Sequence, residues 1–94
     1  MTDRTHSATA GFVVPPTVLW QDVGGDVVLL NVETEQYYSL DPVGSRIVTQ
    51  LTTLPFKAAV SALESDFDVD PSTLAQDIES LVDELLGAGL LRRP

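Results

Sequence analysis

Cysteine is absent from the 94 residues. That removes a disulfide scaffold, a zinc knuckle and a thiol nucleophile together, and it fits a reducing compartment. Histidine occurs once, at His6, in a stretch without periodicity, so no Ser–His pair would have a fixed base. There is no glycine-rich phosphate loop: Gly24-Gly25 is a pair placed where a hairpin needs one. Basic residues are few, 5 against 14 acidic, for a formal net charge of −9. Such a surface repels nucleic acid, whose affinity rests mainly on Lys and Arg neutralising phosphates. No run approaches the ~18 apolar residues of a membrane helix, and Met1 to Gly11 carries no apolar signal-peptide segment. These absences lead to the expectation of a cytoplasmic, non-catalytic protein with no cofactor, no metal, and neither nucleic acid nor membrane as partner.

What is present is enough for one modest core. Hydrophobic residues make up 44% of the chain, and a domain of this size buries roughly two-thirds of its unfolded surface. The acidity either keeps the protein soluble or draws a basic partner by charge complementarity. Residues 1–14 lack periodicity and read as a flexible tail, with one domain over 15–94.

Within that domain, Thr17-Val18-Leu19-Trp20-Gln21-Asp22 is β-branched and aromatic, and Val27-Val28-Leu29-Leu30-Asn31-Val32 follows the turn signal Gly24-Gly25-Asp26. The two form a hairpin. The second strand does not alternate, so it is expected at the sheet centre, covered on both faces. After Glu33-Thr34-Glu35, Gln36-Tyr37-Tyr38-Ser39-Leu40 is a third strand.

Asp41-Pro42 changes the regime, since Asp caps a helix and Pro suits its first position. Val43, Ile47, Val48 and Leu51 then share one helical face. A second helix is expected near Leu54-Pro55, with Phe56, Val60, Leu63 and Phe67 inward. Asp70-Pro71 repeats the start signal for a third, whose stripe is Leu74, Ile78, Leu81, Val82, Leu85 and Leu86, with Gly87 placed to end it. Strands followed by helices predict an α+β domain, a three-stranded antiparallel sheet followed by three helices in a winged helix-turn-helix-like layout.

Asp66-x-Asp68-x-Asp70 imitates a calcium loop, but Pro71 stands where that loop needs Gly and Asp77 where it needs Glu, so helix capping is the better account. Paired acids on helix surfaces read as solvated charge. Tyr37-Tyr38 is more telling, because adjacent strand residues face opposite ways: one ring can enter the core while the other stays near the surface.

The segment DVVLLNVETEQYYSLDPVGSRIVTQL from Asp26 to Leu51, with Asp68-Val69-Asp70-Pro71 and the later Leu85-Leu86-Gly87-Ala88-Gly89-Leu90-Leu91, resembles PqqD-like proteins. These are RiPP recognition elements, the leader-recognition domains of ribosomal peptide modification pathways. The resemblance covers roughly residues 17 to 91; Glu35 departs from it, standing where the family often has Gly. A free-standing chain of this size most resembles the discrete leader-binding proteins of lasso-peptide biosynthesis. A PqqD-type chaperone for a quinone-cofactor precursor is the nearest alternative, then a winged-helix DNA-binding regulator or an acidic carrier protein; scattered Arg and Lys argue against the regulator, and no serine has a carrier's attachment context.

The resemblance implies capture of a leader peptide by β-strand addition. The leader would pair antiparallel with Gln36, Tyr37, Tyr38, Ser39 and Leu40. Its side chains would enter a cleft near Asp77, Ile78, Leu81, Val82 and Leu85, with Asp77 available to a leader Lys or Arg. A separate leader peptidase and an ATP-dependent cyclase would then act on the presented precursor.

Overall fold

The computed structural model describes residues 10–94. A meander of β1 (Val18–Val23), β2 (Asp26–Asn31) and β3 (Tyr37–Leu40) precedes α1 (Pro42–Leu51), α2 (Phe56–Asp66) and α3 (Pro71–Gly87). The sheet order is β1-β2-β3, antiparallel throughout. This is the expected α+β arrangement, and strand bounds shift by one residue only. Gly24 and Gly25 turn the first hairpin with φ of 65° and 99°, the φ pair of a type I′ turn that Cβ-bearing residues resist.

The helices stack on one face of the sheet. Val18, Val27, Leu29 and Leu40 meet Ile47, Val48, Leu51, Leu63, Leu74 and Leu85 in the core. The expectation that β2 is covered on both faces is corrected here. Val27, Leu29 and Asn31 are buried, but Val28 and Leu30 on the other face are only half-buried. Among the described residues no helix packs there, and their cover comes from neighbouring strands. Val43 and Phe56, expected inward, are half-exposed; each lies in the first turn of its helix, at the rim of the buried face.

The domain boundary also moves. Phe12 is buried in the core, edge-on to Phe56 at 6.3 Å and under the Arg93 guanidinium at 5.6 Å. Its backbone is tied as well, with Gly11 N–H donating to Leu54 O and Phe12 N–H to Leu51 O. Val13 and Arg92 exchange N–H···O bonds of 2.9 Å in both directions. Residues 11–13 of the expected 1–14 tail are thus packed with the domain, and residues 1–9 of that tail lie outside the described residues.

Asp41 and Asp70 cap α1 and α3 as their positions suggest, accepting from Gly44 N–H (2.7 Å) and Thr73 N–H (3.3 Å). The C-terminus of α3 differs from expectation. Gly87 stays helical and Gly89 takes the left-handed position with φ 71°. Leu90 N–H reaches Leu85 O and Gly89 N–H reaches Leu86 O, a Schellman closure that seats Leu90 in the core.

Ser45 joins sheet to helix. Its hydroxyl accepts from Val27 N–H (2.9 Å) and donates to Leu40 O (3.2 Å), bridging β2 and β3 inside the core. Ser45→Ala would leave a buried donor and a buried acceptor unpaired, so a loss of about 1–3 kcal/mol is expected in urea unfolding. A loss below about 0.5 kcal/mol would show that the ladder closes without the serine.

Candidate functional site

β3 is a sheet edge, and the ladder determines which of its groups are free. Asn31 N–H donates to Gln36 O at 2.8 Å. Bonded pairs recur every second residue in an antiparallel ladder, so Gln36, Tyr38 and Leu40 turn their backbone groups toward β2. Tyr37 and Ser39 turn theirs outward. Among the described residues no strand lies beyond them, and both residues are exposed.

The turn that presents this edge is built on Asn31. Its Oδ1 accepts from Glu33 N–H (2.9 Å) and Thr34 N–H (3.3 Å), and its Nδ2 donates to Gly89 O (3.1 Å). Glu35 has φ 63°. This is the left-handed region that favours glycine, so Glu35 holds a backbone conformation that a Cβ makes costly.

On the inner face, the Tyr38 phenol spans from β3 to α3 and donates to Glu84 Oε2 at 2.9 Å. That hydrogen bond, then burial and the negative charges of Glu84 and Asp41, pushes the phenol above its ordinary pKa. Tyr38 is thus a neutral donor throughout the physiological range.

The contact identifies the flank of α3 that looks at β3. Residues three and four apart share a helical flank, so Asp77, Leu81 and Ala88 lie along the same flank of α3 as Glu84, the residue that meets Tyr38 of β3. Leu81 and Ala88 are half-buried, and Asp77 and Glu84 exposed. Neither β3 nor α3 contains a basic residue, so along this flank the half-buried Leu81 and Ala88 alternate with carboxylates that no cation of either element offsets.

The expected site residues are therefore divided. Gln36, Tyr37, Tyr38, Ser39 and Leu40 lie along the edge, although the Leu40 side chain is buried in the core. Asp77 and Leu81 share the flank of α3 on which Glu84 meets Tyr38. Ile78 and Val82 do not: they line a separate cavity of about 520 Å3 on the opposite flank of α3, together with Phe12, Phe56 and Val60. Leu85 is fully buried beneath the helix. Glu84 was not among the expected residues, though its spacing from Asp77 and Leu81 (i, i+4, i+7) carries the signal.

The acidic stretch before α3 is structural. Asp66 pairs with Arg46 at 2.8 Å and Asp70 caps the helix. Among the described residues, no group of three or more His, Cys, Asp or Glu is placed to hold a metal, and no helix is long and apolar enough to cross a membrane.

Comparison with known proteins follows the same geometry. Residues 26–91 match the family model described as coenzyme PQQ synthesis protein D (PqqD). That span runs from β2 through all of α3. Among solved structures, the chain is similar to "TbiB1 in Complex with the TbiA(beta) Leader Peptide", with 30% identity and a TM-score of 0.77. The match covers 84% of this chain and 93% of that one. No curated protein matches it.

Proposed function

The chain belongs to the PqqD family, and from that premise we propose that it is a non-catalytic adaptor capturing the leader segment of a ribosomally made precursor peptide. The open edge of β3 beside an apolar, acid-walled cleft carries this reading. The leader adds as a fourth strand, antiparallel to β3, and bonds to the backbone groups of Tyr37 and Ser39. Alternate leader side chains enter the cleft against Leu81, within reach of Asp77 and Glu84, which favours a basic residue there. The solved relative at 30% identity is described as bound to a leader peptide, which supports leader capture here.

In the finer form of the proposal the pathway is lasso-peptide biosynthesis, and the chain hands its tethered precursor to a separate leader peptidase and an ATP-dependent cyclase. Tethering raises the effective concentration of the precursor at those sites. The family's description favours a second reading, a quinone-cofactor precursor as the captured chain. Docking geometry would be the same, and side-by-side affinities for the two leader classes separate the readings.

Selection of random displayed peptides on the purified protein tests the proposal. Strand-forming peptides are expected to bind in EDTA, and Leu81→Asp to weaken them about tenfold or more, because it removes the apolar contact and puts in its place a carboxylate that the bound peptide would have to desolvate. Circular dichroism checks that the variant folds. A folded Leu81→Asp protein with wild-type affinity would move the groove off this flank, and a selection without binders would overturn peptide capture.

A further inference from the structure

The face of the sheet turned away from the helices carries a row of side chains running straight across the strands. Leu19 lies opposite Leu30, and Leu30 opposite Tyr37. Leu19 is 56% exposed and Tyr37 70%, so the row is open to solvent and stops at the free edge of β3. The neighbouring row, Gln21–Val28–Ser39, adds no charge.

A strand added beside β3 cannot avoid this row. Successive side chains alternate between faces, so those not entering the α3 cleft must lie on the outer face. Opposite pairs on one face sit about 4.5–5.5 Å apart at Cβ. One peptide residue therefore lands beside Tyr37 as the fourth member of the row.

We infer that the captured peptide is read on two faces. Tyr37, backed by Leu30 and Leu19, selects an aromatic or large aliphatic side chain on the outer face, and Leu81 with Asp77 and Glu84 selects the residues flanking it on the inner face. A phenol ring and two leucines offer no counter-charge to a charged side chain, and aromatic cross-strand pairs are the stronger class of such contacts. The recognised sequence then has a period of two, with its outer position independent of the helix. The inference rests on the strand-addition reading above.

The test is to select random displayed peptides separately on the wild-type protein, Tyr37→Thr and Leu81→Ala. Threonine keeps strand propensity and the edge backbone. The wild-type pool should favour a large apolar residue at one position. That preference should vanish from the Tyr37→Thr pool and persist in the Leu81→Ala pool, where the flanking preferences change instead. A single wild-type-selected peptide should lose about fivefold in affinity for Tyr37→Thr. If the Tyr37→Thr pool kept the same preference, or the affinity stayed within about twofold, the outer face would not be read. Amide exchange separates the two levels. Protection of Tyr37 and Ser39 with an unchanged pool overturns only the two-faced readout. Binders that leave those amides unprotected, or no binders at all, overturn strand addition and this inference with it.

Discussion

Addition of a selected peptide is expected to slow amide exchange at Tyr37 and Ser39 by about a hundredfold when the peptide stands at ~100 times its Kd. These two N–H groups face the open edge in the free protein and acquire carbonyl partners only in the complex. Tyr38 and Leu40 already face β2, and Gln36 N–H is directed at Thr34 Oγ1 at 3.3 Å. Those three should change far less. The resulting alternation is a signature that general tightening of the domain would not produce. Methyl shifts should accompany it at Leu81, and be smaller at Ile78 and Val82, which look into the cavity on the other flank. Protection at Trp20 and Asp22, the outward-facing residues of β1, would relocate docking to the opposite edge. Protection at neither edge, with binding intact, would leave a helix lying in the cleft as the remaining mode.

The second large effect concerns stability. Asn31→Ala is expected to cost about 2–4 kcal/mol. The side chain is buried and makes three hydrogen bonds, two from backbone N–H groups of the β2–β3 turn and one to the carbonyl of Gly89. Alanine fills none of them, and the Gly89 carbonyl is left without its side-chain partner. For a domain whose total stability is about 5–10 kcal/mol, that is a substantial fraction. The thermal midpoint should fall by roughly 8–32 °C, taking about 4–8 °C per kcal/mol at this size. Asn31→Asp separates the contributions, because it keeps both accepting roles and loses the donor to Gly89. A drop of under about 0.5 kcal/mol for Asn31→Ala would mean that water replaces the side chain and the turn holds without it.

Local signals foretold local structure. Asp41-Pro42 and Asp70-Pro71 start helices because their capping chemistry needs only residues three apart, and Gly24-Gly25 turns a hairpin for a similarly local reason. The two tyrosines divide between faces as strand alternation requires, Tyr37 outward and Tyr38 toward α3. What remained illegible depended on contacts between distant parts of the chain. The wide stripe on α3 did not reveal which flank looks at β3, since Ile78 and Leu81 are equally apolar. The Tyr38–Glu84 bond decides it, and that bond joins residues far apart in sequence. Phe12 was read as part of a tail because three apolar residues cannot show a period, and their partner is Arg92 at the far end. Of two glycines close together, Gly89 and not Gly87 closes α3, a choice made by the Asn31 bond to Gly89 and by the burial of Leu90.

The pairing of Val13 with Arg92 has a topological consequence. It sets Val13, near the start of the described residues, against Arg92, near their end, so the path between them is nearly a closed ring. That pairing lies beside Phe12, Phe56 and Arg93. The patch borders the flank of α3 opposite Glu84, so α3 itself, about 10 Å across, stands between it and the strand edge. A module joined after Pro94 would therefore leave the edge of β3 open. The ring also has a natural second opening at Gly24-Gly25, where nothing lies within 4 Å of an added Cβ. Cutting there and joining the ends would convert β1 into the last strand of the chain while leaving β3, α3 and the turn built on Asn31 continuous.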